Sequence, residues 1–223
     1  RAQYNYGNIM RDIGQYKNAI NCYQKAIDLN SSLSLAKVAL IGSKRDICDW
    51  SDLETHNTWI KTLGIEGTAV MPWIFFFFED NPMRHLKRSK KLFNEKYKSE
   101  IKPLSTFKNK KIHIGYFSSD FRAHPTMYLI ASILKLHNKS KFKIYLYSFA
   151  PKEDKYTKIA KESGCIFRKI KSLNDIEAVE LARNDQLDIA IDLMGYIQYN
   201  RMNLFSYRVA PIQINYLGYP GSL

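Results

Sequence analysis

From Ile112 onward the sequence alternates short apolar stretches with amphipathic ones, and this alternation constrains the fold more than any other feature. Ile112–Phe117, Phe142–Phe149, Ile166–Ile170, Leu187–Leu193 and Ile212–Leu217 read as strands. Between them Pro125–Leu136, Asp154–Ser163, Asp175–Arg183 and the short Met202–Tyr207 read as helices. Such alternation predicts a parallel sheet with helices on both faces, a Rossmann-like α/β half-domain over residues 111–223.

The first part of the chain follows another period. Gln3 to Asn30 reads as two short helices broken near Gly14, with Tyr6, Gly7 and Met10 on the first and Ala19, Ile20, Tyr23, Ala26 and Ile27 on the second. Small residues at Gly7, Ala19 and Ala26 let the helices approach, and Tyr16 and Tyr23 fill the space between them. The spacing resembles one tetratricopeptide repeat, with Ser31 where a proline often follows the second helix. Ser34 to Lys44 starts a further helix without repeating the pattern, so residues 1–44 are expected to be the end of a repeat array. One repeat cannot bury its own apolar face, so more repeats are expected before Arg1. Residues 45–110 read as a helical connector. Its helices lie around Leu53–Leu63 and Met83–Tyr97, Gly64, Gly67 and Pro72 interrupt it, and Trp50, Trp59 and Trp73 are expected to pack against their neighbours.

Composition excludes several function classes. Hydrophobic residues at 45% and charged residues at 25% suffice for a buried core. The formal charge of +13 comes mostly from lysines scattered between Lys87 and Lys171 with no recognition motif, so no nucleic-acid partner is expected. Cys22, Cys48 and Cys165 show no CxxC or His-paired spacing, which implies reduced thiols, no metal site and a cytoplasmic location. The longest apolar stretch, Ala69–Phe78, falls far short of the roughly 20 residues that cross a bilayer, so no membrane partner is expected.

Ligands of open α/β sheets bind outside the carboxyl ends of the strands, which directs attention to three loops. Ser118-Ser119-Asp120-Phe121-Arg122-Ala123-His124-Pro125-Thr126 follows the first strand and opens a helix. Pro125 suits the first helical turn, which places His124 at or next to the N-cap, and Asp120 four residues earlier is placed to orient the ring. A histidine there also serves as an ordinary cap. The second loop, Gly195 and Tyr196 to Arg201, and the third, Leu217 to Ser222, contain glycines that permit close backbone approach. No GxGxxG follows the first strand and no P-loop is present, which argues against a dehydrogenase or an ATPase.

The segments IGYFSSDFRAHPT, GYIQYNRMNLFSYR and APIQINYLGYPGS, in that order, resemble the N-terminal catalytic half of the protein O-GlcNAc transferases. Cys48-Asp49-Trp50, just after the repeat, resembles the family's entry to that half. The resemblance implies a mixed fold, a tetratricopeptide repeat end followed by the N-terminal lobe of a glycosyltransferase-B arrangement. It implies transfer of GlcNAc from UDP-GlcNAc to Ser or Thr hydroxyls, with inversion, without metal or other cofactor, and with protein or peptide acceptors as partners through the repeat array. The sugar nucleotide is expected to bind mainly to a second lobe after Leu223, so that these residues alone are inactive. By the same resemblance Asp120 and His124 are the catalytic or sugar-phosphate-contacting pair, Pro125 and Thr126 line the same wall, and Tyr196, Leu217 and Gly218 face the sugar and acceptor cleft. Two departures stand out: Trp73 takes the place of a family histidine, and Ile197 and Gln198 stand where a threonine and a lysine are common. The same fold with GDP-fucose or UDP-glucose as donor, and a repeat-containing adaptor with a non-catalytic lobe, are the alternatives.

Overall fold

A computed structural model describes residues 1–97, 104 and 108–221, which divide into two compact units, Arg1–Lys96 and Tyr97–Gly221. The first unit opens with α1 (Ala2–Asp12), α2 (Tyr16–Leu29) and α3 (Ser34–Asp46). The absence of a side chain at Gly7 decides how closely the first two pack, because a Cβ there would lie 2.6 Å from the Tyr23 ring. Tyr23 fills that space completely and donates its hydroxyl to Asn8 Oδ1 at 2.8 Å. Ala19 and Ala26 of α2 then meet Ala36, Ala39 and Leu40 of α3 in one apolar cluster.

A second cluster joins Ile41 of α3 to Ile60, Leu63, Val70 and Phe75, over α4 (Leu53–Ile60) and a 3-10 helix (Pro72–Phe77), and α5 (Pro82–Lys96) follows. The 3-10 turn stands where the sequence suggested only an interruption. Pro72 starts it, and the phenylalanine run divides: Phe75 is wholly buried while Phe77 is exposed. Trp73 packs edge-on against Phe76 and Phe77, and Trp59 packs near His56. Trp50, by contrast, is about half exposed, with the Arg45 guanidinium 5.8 Å from its ring.

The second unit is a five-stranded sheet in the order β3-β2-β1-β4-β5, every pair parallel. The strands are β1 (Ile112–Ser118), β2 (Phe142–Ser148), β3 (Ile166–Lys169), β4 (Ile189–Asp192) and β5 (Ile212–Asn215). The connecting helices are α6 (Pro125–Leu136), α7 (Lys155–Lys161), α8 (Asp175–Asn184) and α9 (Asn203–Ser206). Successive side chains of a strand point to opposite faces, and both faces are covered. Ile114, Tyr116, Ile144 and Leu146 pack with Met127, Ile130 and Leu134 of α6 and Ala160 of α7. Phe117, Tyr145 and Tyr147 pack with Ala178 and Ala182 of α8 and Leu204 of α9. Gly115 leaves room on this second face, where a Cβ would stand 2.6 Å from Leu187. β4 is shorter than the apolar run Leu187–Leu193, and just past its end the Asp192 side chain takes up the amides of Met194 and Gly195.

Candidate active site

Strand order reverses between β1 and β4, so the crevice at their carboxyl ends is the topological switch point where such sheets bind ligands. On the β1 side, Ser118 Oγ accepts the Asp120 amide at 2.9 Å and turns the chain sharply. Asp120 is buried. Its Oδ1 accepts from the Ser119 hydroxyl and from Arg122 Nη2, both at 3.1 Å, while Arg122 Nε donates to Ser119 O at 3.3 Å.

His124 is the N-cap of α6, extended at φ −157°, with Pro125 in the first turn. Its Nδ1 lies 3.3 Å from the Thr126 amide and 3.4 Å from Asp120 Oδ2. Only the Thr126 contact has hydrogen-bond geometry; the Asp120 carboxylate stands at ion-pair distance, and the two contacts belong to different tautomers. A bare Nδ1 accepts from Thr126 and leaves the proton on Nε2, a donor; a protonated Nδ1 donates to Asp120 and leaves Nε2 bare, an acceptor. The His124 side chain is 32% exposed and that of Asp120 only 3%, so the histidine is the member that a ligand reaches. Pro125 is exposed beside it and Thr126 is buried behind it.

On the β4 side, Asp192 is buried with Oδ1 accepting from the Met194 amide and Oδ2 from the Gly195 amide, each at 2.9 Å. Burial pushes its carboxyl up to about 6, against the opposing pull of those two amides. Met194 Sδ lies 3.5 Å from both the Ser118 and the Ser119 hydroxyls, which joins the β4 loop to the β1 loop. Tyr196 is fully buried, its ring 6.2 Å from that of Tyr97 and edge-on to Tyr219 at 5.5 Å. Its ring therefore supports the wall from within.

After β5, Leu217 holds φ +64°, a strained conformation for a bulky side chain. It brings Gly218 against the β4 loop, where a Cβ would meet the carbonyl oxygens of Leu193 at 2.3 Å and Met194 at 2.7 Å. Asn215 fastens the turn by donating Nδ2 to Tyr219 O at 2.7 Å, and its buried Oδ1 has no hydrogen-bond partner among the described residues. The residues expected from the sequence thus lie on three loops at one edge of the sheet. Arg122, Asp192 and Met194 join them, although sequence reasoning did not single them out. Among the described residues no group of three or more His, Cys, Asp or Glu is arranged to hold a metal, and no helix is long and apolar enough to cross a membrane.

Comparison with known proteins agrees with this architecture. Residues 84–223 match Glycosyl transferase family 41, and residues 7–34 match a TPR repeat. Arabidopsis thaliana SPINDLY, named a probable UDP-N-acetylglucosamine–peptide N-acetylglucosaminyltransferase, is 32% identical over 50% of this chain and 13% of its own length. The Caenorhabditis elegans UDP-N-acetylglucosamine–peptide N-acetylglucosaminyltransferase is 32% identical over 50% of this chain and 10% of its own. The structure of a Thermobaculum terrenum O-GlcNAc transferase mutant superposes with a TM-score of 0.67 at 21% identity, covering 97% of this chain and 43% of that one. The chain therefore shares that fold while spanning about an eighth of the length of its curated relatives. With well over half of its residues inside the family match, the chain belongs to glycosyl transferase family 41.

Proposed function

We propose that this chain supplies the first lobe of an inverting, metal-independent enzyme that moves GlcNAc from UDP-GlcNAc to Ser or Thr hydroxyls of proteins. The observation that carries this reading is the buried Asp120 placed to orient a partly exposed His124 at the end of β1. The names of the Arabidopsis and Caenorhabditis relatives support the donor and the peptide acceptor.

In this reaction the acceptor oxygen attacks the anomeric carbon from the face opposite UDP. The bond to the phosphate oxygen breaks, UDP leaves with the electron pair, and the hydroxyl proton must pass to a base. In the Asp120-facing tautomer, His124 Nε2 is free to take up that proton; in the cap tautomer it donates to a sugar-phosphate oxygen. Pro125 and Thr126 form the wall beside it, Leu217 and Gly218 form the opposite lip, and Tyr196 holds that lip from behind. The nucleotide falls to a second lobe. Residues 1–44 act as the end of a repeat array that receives protein acceptors, 45–110 as a connector and 111–223 as the catalytic lobe. The free thiols Cys22, Cys48 and Cys165 support a cytoplasmic location.

The test is transfer by a chain completed with that second lobe. Labelled UDP-GlcNAc, UDP-glucose and GDP-fucose compete for a peptide acceptor, and His124→Ala is run beside the wild type. Preference for UDP-GlcNAc and an about 10²-fold fall in kcat for the variant are expected. Native turnover in a folded His124→Ala enzyme overturns the assignment of His124, and preference for another donor overturns that of GlcNAc.

A further inference from the structure

The loop that carries Asp120 and His124 is gripped from outside by the start of α7. Asp154 caps that helix, its Oδ1 accepting the amides of Tyr156 at 2.9 Å and Thr157 at 3.2 Å. Its second oxygen, Oδ2, accepts the amide of Ala123 at 2.7 Å, the residue immediately before His124. A helix cap needs only the first oxygen. Thr157 completes the box by accepting the Asp154 amide at 3.1 Å, and its buried hydroxyl donates to the Phe121 carbonyl at 2.7 Å. One capping box therefore holds a carbonyl and an amide of the loop on either side of Arg122. The hydrogen bond from Ala123 is the foremost cause that holds the Asp154 carboxyl below its ordinary range.

This grip bears on the ring of His124. Its Nδ1 accepts the Thr126 amide at 3.3 Å and has Asp120 Oδ2 at 3.4 Å without hydrogen-bond alignment, so a displacement of the backbone at Ala123 decides whether the ring keeps the first partner or turns to the second. We propose that Asp154 and Thr157 are positioning residues whose hold on Phe121 and Ala123 sets the tautomer that His124 presents at the switch point. The consequence for turnover rests on the function proposed above; the positioning itself does not.

Asp154→Asn separates the two tasks of the carboxylate. The amide oxygen keeps the helix cap while the NH2 group faces the Ala123 amide, donor against donor. Thr157→Val removes the hydroxyl at nearly constant shape, and Thr157→Ser restores it. In the 223-residue chain, the 15N shifts of His124 Nδ1 and Nε2 report tautomer populations, and thermal melting reports folding. Asp154→Asn and Thr157→Val are expected to change the tautomer ratio at least twofold in a chain that still melts cooperatively at a lower temperature, and Thr157→Ser to return the ratio. In an enzyme completed by the second lobe, kcat is expected to fall roughly 10-fold to 100-fold with KM for the peptide unchanged. Unchanged ring nitrogens in folded Asp154→Asn and Thr157→Val overturn the proposal. Shifted nitrogens with native turnover uphold the positioning and overturn the catalytic reading of His124. If Asp154→Asn fails to fold, Asp154→Ser serves in its place, since its shorter side chain caps α7 without reaching Ala123.

Discussion

Gly218 and Leu193 approach so closely that a Cβ on the glycine would stand 2.3 Å from the leucine carbonyl oxygen. A backbone carbonyl cannot swing aside as the end of a lysine does, so Gly218→Ala must move the β5 loop away from the β4 loop. A cost of about 1–3 kcal/mol is expected, read as a lower melting temperature. Gly42→Ala is the control, because nothing lies within 4 Å of a Cβ there and α3 is expected to gain about 0.5–1 kcal/mol. Equal melting temperatures for the two variants would contradict the packing argument.

Asp192 gives the second unit an inverse dependence on pH. Its carboxyl is raised to about 6 by burial, so the folded chain binds the proton more tightly than the unfolded chain does. The associated stability is fully present below about pH 4 and is lost as pH rises through 6, an effect of about 3 kcal/mol. Asp192→Asn removes it. The difference in unfolding free energy between wild type and Asp192→Asn should fall between pH 4 and 7, and a flat difference would exclude the assignment.

Arg88 is expected to be the most costly single charge to remove from the first unit. Its side chain is fully buried, with Nε donating to Leu63 O at 2.8 Å, Nη1 to Glu79 Oε1 at 2.6 Å and Nη2 to Ile60 O. The guanidinium also lies 3.8 Å from the Phe75 ring centre. Arg88→Ala leaves Glu79 Oε1 and two carbonyls without the guanidinium, while Arg84 keeps Glu79 Oε2, for an expected loss of about 3 kcal/mol in urea unfolding. A loss under 1 kcal/mol would refute this account.

His124→Asn tests the cap and the ring independently. Asparagine is a good N-cap and its short side chain reaches the Thr126 amide, so the melting temperature should stay near that of the wild type. The imidazole is gone, so turnover in the completed enzyme should fall about 10²-fold, as for alanine. Retained turnover would reduce His124 to a cap.

Local chemistry determined which parts were legible in the sequence. The expected helix Pro125–Leu136 coincides with α6, because Pro125 fixes its first turn and Met127, Ile130 and Leu134 keep its apolar stripe. The 3-10 helix Pro72–Phe77 escaped, since four successive phenylalanines carry no period that separates helix from loop. The family resemblance turns Tyr196 toward the cleft, yet neither resemblance nor pattern reveals that Tyr97 and Tyr219 enclose the ring. Asp192 falls inside the expected strand Leu187–Leu193, and its hold on the amides of Met194 and Gly195 depends on side-chain direction. The spacing of Asp154 and Thr157 is a capping-box signal that was available in the sequence. Its second grip, on a loop about thirty residues earlier, was not.

The strand order also sets when the crevice can form during folding. β1 meets β2 across 30 residues, as in Ile114 with Ile144, but meets β4 across 75, as in Ile114 with Ile189. Closing the longer loop costs more chain entropy, and contacts of large sequence separation form slowly. The β1–β2 ribbon should therefore precede the β1–β4 seam. Pulse-labelling hydrogen exchange should protect the Phe149 amide, bonded to Ser118 O, before the Leu193 amide, bonded to Phe117 O. A chain caught between these events carries the Asp120–His124 loop on an exposed strand edge, which is the stage at which a chaperone or a second copy would find it.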